Sequence, residues 1–185
     1  KNQYNLMKFK IFRFKKVKST NNTAIRIIKK SKVDYGMVVS ETQSNGKGQR
    51  GRKWISYKGN LFVTFFYNLK NINFSISKIT KFNCLLVKRV ISKYYKKKIF
   101  FKKPNDLLIE KKKICGILQE TINKFDNKYL IVGIGVNLLK SPQIKGYPTT
   151  CLYDLISKKI STKIFEKEIK DIFEKNLKFI RKIKN

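Results

Sequence analysis

Four short segments place cations, glycines and a carboxylate at spacings that suit a phosphorylated substrate. The first is Gly46-Lys47-Gly48-Gln49-Arg50-Gly51-Arg52-Lys53-Trp54. Glycine lets backbone N–H groups come close to an anion, and the guanidinium fork of Arg binds phosphate oxygens in pairs. The first six residues match GxGxxG, yet a dinucleotide-binding turn opens a helix, whereas Arg-Lys-Trp-Ile-Ser here leads to a strand. Nor is this a P-loop, since Gly51 precedes Arg-Lys instead of Lys-Ser/Thr. Read alone, the segment is a flexible, cation-rich loop that fits a phosphate site or a solvated turn. Trp54, the single tryptophan, reads equally well as a core anchor.

The second segment, Lys103-Pro104-Asn105-Asp106, sets an amide beside a carboxylate at the edge of a strand, where Asp106 could meet a metal-bound nucleotide. The third, Lys111-Lys112-Lys113-Ile114-Cys115-Gly116-Ile117-Leu118-Gln119-Glu120, offers a lysine that could stabilise developing phosphate or carbonyl charge if it points inward. The fourth, Gly133-Ile134-Gly135-Val136-Asn137, puts two glycines inside an apolar strand, a mark of close approach by another group. Asn137 carries a donor and an acceptor suited to a base edge. Taken singly, an ordinary turn, a solvated hairpin tip and a weakened strand explain the same residues.

Composition narrows the chemistry. The 185 residues include 44 Lys+Arg, 11 Asp+Glu and no histidine. Without imidazole there is no Ser-His-Asp or Cys-His couple and no His-containing metal site. Cys84, Cys115 and Cys151 are too widely spaced for a zinc ribbon or a disulfide framework, which points to a reducing compartment. The net charge of +33 would suggest nucleic acid. However, 38 Lys against 6 Arg, with 24 Ile, 16 Asn and one Ala, is the mark of AT-rich codons. The scarce residues, Arg, Gly and the acids, therefore carry more information than the lysines. No uncharged run exceeds 11 residues, so no membrane span is expected, and the start lacks a signal-peptide layout. A cytoplasmic protein is the expectation.

Periodicity supplies the elements that must position these segments. Residues 8–17, 36–41 and 60–69 read as strands, the last one buried. Ser-Thr-Asn-Asn at 19–22 caps a helix near 21–31, and Ile76, Ile79, Phe82, Leu86 and Val90 recur at helical spacing between Ser75 and about Tyr95. A short strand at 99–102, then 107–110, a lysine turn and 114–122 form a hairpin, followed by an apolar strand at 129–139 and a loop at 141–150. Helices near 151–158 and 162–183 close the chain. One α+β domain with a mostly antiparallel or mixed sheet is expected.

In order along residues 19–140, the segments STNN, GKGQRGRKW, KKPNDLL, KKICGILQE and VGIGVNL resemble the catalytic domain of biotin protein ligases. The resemblance implies a mixed sheet flanked by helices, similar to class II aminoacyl-tRNA synthetases. One catalytic domain over residues 1–185 is expected, departing from the family in having no winged helix before it and no small β-barrel domain after it. The resemblance further implies activation of biotin with ATP and Mg²⁺ to biotinyl-5′-AMP, then transfer to a lysine of a biotin carboxyl carrier protein domain. On this resemblance Ser19, Thr20, Asn21, Gln43, Gly46 and Lys47 line the biotin side, and Gly116, Gly133 and Gly135 let the backbone approach biotin. Lys47, Gln49, Arg50, Arg52, Trp54, Asn105, Lys113 and Asn137 meet ATP or the adenylate. Lys113, Arg50, Arg52 and Asp106 carry the chemistry, with Asp106 facing Mg²⁺. The glycine loop is expected to be mobile until the adenylate binds, because its cations repel one another.

Two residues depart from the family pattern. Gln49 stands where many members carry Arg, which implies weaker retention of the adenylate, and Lys103 stands where Trp is usual. The competing readings are a lipoate or octanoate ligase or transferase of related fold, and a basic nucleic-acid-binding protein. The even scatter of lysines disfavours the latter, so no nucleic acid or membrane partner is expected, and a monomer or a homodimer fits equally.

Overall fold

The computed structural model describes residues 8–69 and 75–180, without the side chains of 178–180. Nine strands and four helices follow one another: β1 Lys10–Val17, α1 Thr20–Lys30, β2 Tyr35–Gln43, β3 Gly46–Lys47, β4 Lys53–Trp54, β5 Leu61–Asn68, α2 Ile76–Tyr94, β6 Phe100–Lys102, β7 Asp106–Ile109, β8 Lys112–Lys124, β9 Asn127–Val136, α3 Leu152–Ile156 and α4 Thr162–Ile180. The closing helix was expected to reach 183; its last expected residues lie outside the described ones.

All eight residues of β5 are buried, so it must lie inside a sheet covered on both faces. It does: the order is β1-β2-β5-β9-β8-β7-β6. Only β1 and β2 run parallel, joined through α1, and every other pair is antiparallel, which is the mixed α+β arrangement expected.

Alternation along the strands sorts the core into two layers. Met37, Val39, Val63, Phe65, Val132 and Ile134 face α2 and α4, where Phe65 stacks on Phe173 with ring centroids 4.4 Å apart. Val38, Phe66 and Ile131 face α1, packing on Ala24 and Ile28. These are the apolar positions that define each helix's inner stripe.

Several boundaries differ from expectation. β2 runs on to Gln43, because β1 pairs with it as far as Val17–Gln43. The hairpin turn falls on Glu110-Lys111, both at positive φ (50° and 63°), so Lys112 and Lys113 are strand residues and not the tip of a lysine turn. The glycine segment is more ordered than a flexible loop. β3 and β4 form a small antiparallel ribbon, closed by a single 3-10 turn at Gln49–Gly51.

Candidate active site

α1 packs on β2, β5, β9 and β8. Its N-terminus, capped by Ser19 Oγ accepting from the Asn22 amide, ends over the stretch of β9 and β8 where glycines replace apolar side chains. Gly116 pairs with Gly135, and Leu118 with Gly133, across the β8–β9 ladder. The floor carries no side chains at these glycines, and a cavity of about 620 Å³ opens above it.

Sixteen of the seventeen residues singled out above line this cavity: Ser19, Thr20, Asn21, Gln43, Lys47, Gln49, Arg50, Arg52, Trp54, Asn105, Asp106, Lys113, Gly116, Gly133, Gly135 and Asn137. Gly46 does not. It is buried behind the wall, where a Cβ would come within 2.4 Å of the Trp54 carbonyl oxygen, and it serves to seat the ribbon.

The inner end is a hydrogen-bonding network of amides and hydroxyls, backed by the Glu120 carboxylate. The Thr20 amide donates to Gln43 Oε1 at 2.8 Å, and Gln43 Nε2 donates to Ser56 Oγ at 3.0 Å. Asn21 Nδ2 donates to Glu120 Oε2 at 2.8 Å, while Asn21 Oδ1 accepts from Thr64 Oγ1 at 2.7 Å. Thr64 Oγ1 also lies 2.8 Å from Thr20 Oγ1. Buried polar groups satisfied in this way hold one geometry, which is what a site needs in order to recognise a small polar ring.

The glycines make room for protein side chains as well as for any ligand. A Cβ on Gly133 would lie 2.2 Å from Asn21 Oδ1, and one on Gly135 would lie 2.5 Å from Trp54 Cε2. At Gly116 the clash would be with Trp54 Cζ3 at 2.8 Å and Lys113 Cε at 3.0 Å. The glycines let Asn21 and the Trp54 indole lie flat on the sheet.

The outer end is cationic. Eight Lys and Arg side chains line the cavity against one carboxylate, Asp106. The 3-10 turn holds Arg50 in the left-handed region (φ 54°), and Gly48 N donates to the Arg52 carbonyl at 2.7 Å, so Arg50 and Arg52 emerge exposed from a closed ribbon. Lys113 is half-buried, with Nζ 2.8 Å from Asp106 Oδ1 and 5.1 Å from the Trp54 ring centroid. Asn105 is spent on structure: Nδ2 donates to the Ile117 carbonyl at 2.6 Å, fixing β7 to β8. Asn137 is half spent. Its Nδ2 donates one of its two protons to the Thr150 carbonyl at 3.1 Å, while its buried Oδ1 has no partner among the described residues.

Two contributors escaped the sequence. Thr64 sits mid-strand in a fully buried run and carries no motif signal. Tyr147 lies in the 141–150 loop and donates its phenol to Asp106 Oδ2 at 2.5 Å. Burial and the Asp106 carboxylate push its ionisation well above the ordinary tyrosine value, with Arg52 opposing, so it stays a donor near neutral pH. The cysteines are inert: Cys84, Cys115 and Cys151 are buried and free, and burial pushes the Cys84 thiol up to about 12.

The chain is similar in sequence and fold to known proteins. The chain is 31% identical over 102 residues to the bifunctional ligase/repressor BirA of Escherichia coli (strain K12), covering 54% of this chain and 32% of that protein. It is 29% identical over 126 residues to BirA of Bacillus subtilis (strain 168), covering 67% of this chain and 39% of that protein. The match thus spans about a third of the curated relatives' length. Among solved structures, the biotin protein ligase from Aquifex aeolicus in complex with biotin and ATP is similar at 28% identity and a TM-score of 0.78, covering 93% of this chain and 72% of that one. The model of the biotin/lipoate A/B protein ligase family matches residues 13–137, most of the described chain, and the chain belongs to that family.

Proposed function

We propose that this chain joins biotin to ATP, forming biotinyl-5′-AMP, and passes the biotinyl group to a lysine of a biotin carboxyl carrier protein domain. The observation that carries the reading is one cavity with two chemically distinct ends, a hydrogen-bonding network around Thr20, Asn21 and Gln43 and a cationic mouth around Lys113, Arg50 and Arg52. A cyclic urea offers N–H donors and a carbonyl acceptor, which suits the first end, and a triphosphate suits the second. The similarity to BirA and to the Aquifex aeolicus ligase solved with biotin and ATP supports this choice within the family.

The chemistry follows from charge. A biotin carboxylate oxygen attacks the α-phosphorus, forming an O–P bond while the P–O bond to pyrophosphate breaks. Two anions must meet, so cations at the phosphate lower the barrier, and no general base is needed because the nucleophile is already ionised. Lys113, backed by Trp54 and Asp106, holds a positive charge at that point, and the exposed Arg50 and Arg52 draw in the phosphates. In the second step the uncharged carrier amine attacks the acyl carbon, the C–N bond forms, the C–O bond to the phosphate of AMP breaks, and the nitrogen gives up one proton to solvent as AMP leaves. The same lysine offsets negative charge on the acyl oxygen.

Magnesium on a nucleotide takes its ligands from phosphate oxygens and water, with one or two carboxylates from protein. Among the described residues no three His, Cys, Asp or Glu gather into a metal cluster, and Asp106 is the one carboxylate in the cavity wall. Asp106 fits such an ion as a single ligand, and the ion would neutralise phosphate charge there.

The test is incubation with MgATP, biotin and a carrier domain, followed by mass measurement of the carrier, with Lys113→Ala as control. A gain of one biotinyl group that Lys113→Ala abolishes is the expected result. A gain with octanoate or lipoate and none with biotin would overturn the choice of substrate. Among the described residues no helix is long and apolar enough to cross a membrane.

A further inference from the structure

We infer that Tyr147 is a positioning residue for Lys113, acting through Asp106. The inference rests on the reading that Lys113 works at the reacting phosphate. The phenol donates to Asp106 Oδ2 at 2.5 Å, and Lys113 Nζ lies 2.8 Å from the other oxygen of the same carboxylate, as an ion pair without a hydrogen bond to that oxygen. One carboxylate therefore links a neutral donor to the lysine, and the hydrogen bond from Tyr147 fixes the direction in which the carboxylate faces Lys113.

The Tyr147 ring does a second job. Lys113 Nζ lies 5.4 Å from its centroid and 5.1 Å from that of Trp54, within the range where aromatic faces attract an ammonium. The loop carrying Tyr147 is stitched to the lysine's own backbone. Lys113 N donates to the Pro148 carbonyl at 2.8 Å, and Thr150 N donates to the Lys113 carbonyl at 2.9 Å. Lys113 is thus fixed by its main chain, its Asp106 partner and two rings, and Tyr147 or its immediate neighbours supply part of each. A lysine has four rotatable side-chain bonds and holds no direction by itself, so this fixation sets where its charge lies.

The experiment compares Tyr147→Phe, Asp106→Asn and the double variant in pyrophosphate release from MgATP and biotin. Tyr147→Phe removes one oxygen, keeps the ring and leaves the thermal midpoint near that of the parent. The expected result is a kcat about tenfold lower with the KM for biotin unchanged, since a small misplacement of a catalytic group costs rate and not substrate binding. The effect vanishes in the Asp106→Asn background, because Tyr147 acts through that carboxylate. A Tyr147→Phe rate equal to the parent, or a loss that simply multiplies that of Asp106→Asn, overturns the inference while leaving the proposed activity standing. Failure of the unaltered protein to release pyrophosphate with biotin or any related acid overturns the functional reading itself.

Discussion

Gly135 and Trp54 show how narrowly single residues set the cavity. The indole lies where a Cβ on Gly135 would be, 2.5 Å from its Cε2, so glycine is required there by contact with a side chain. Gly135→Ala must lift the indole off the sheet. Because Trp54 is the only tryptophan, its fluorescence reads this directly. The expected outcome is a red-shifted emission and a loss of pyrophosphate release of at least about tenfold, as the aromatic backing of Lys113 moves away. An emission spectrum unchanged from the parent would show that the alanine is absorbed elsewhere. The sequence marked Gly133 and Gly135 in one segment and Trp54 in another. That Gly133 meets Asn21 and Gly135 meets Trp54 depends on strand register, which no local spacing contains.

At the scale of elements, periodicity predicted most strands and all four helices, because burial on one face imposes a repeat that sequence must obey. It misjudged the ends where a partner decides. The last residues of β2 are strand because β1 lies alongside, and Lys112 and Lys113 are strand because Glu110-Lys111 takes the turn. Edge strand β1 is tied to α4 by Arg13, whose guanidinium meets Glu166 through Nη2–Oε1 at 2.7 Å and Nη1–Oε2 at 2.9 Å. Glu166 is 5% exposed, so removing its partner strands a buried carboxylate. Arg13→Ala is expected to cost about 1–3 kcal/mol, a drop of several degrees in the thermal midpoint by calorimetry. No change would mean that the glutamate finds water when released.

For the whole molecule the charge of +33 is the dominant electrostatic fact. Like charges spread over a compact surface repel, and the unfolded chain relieves that repulsion by expanding. Raising salt from about 0.01 M to about 0.1 M shortens the screening length from ~30 Å to ~10 Å. The thermal midpoint of the ligand-free protein is therefore expected to rise over that range. A midpoint that falls instead would place the balance with the favourable pairs, such as Arg13–Glu166 and Lys113–Asp106. Nucleotide bound at the cationic mouth should raise the midpoint further at low salt, since it relieves local repulsion as well as adding contacts.

Sequence by itself determined the identity of the working groups and the order of the elements. Scarce residues in a lysine-rich chain, two Arg and three Gly in one segment, Asp106 after a proline and a histidine count of zero, singled out the candidate groups for binding a phosphorylated substrate. Tertiary structure alone decided what those groups touch. It tied Asn105 Nδ2 to the Ile117 carbonyl and Asn137 Nδ2 to the Thr150 carbonyl, placed Gly46 behind the wall and brought Tyr147 to Asp106 across 41 residues of chain. The reason is physical: composition and periodicity are local properties, whereas a contact between distant side chains depends on strand register and helix packing, which are fixed only when the whole sheet has formed.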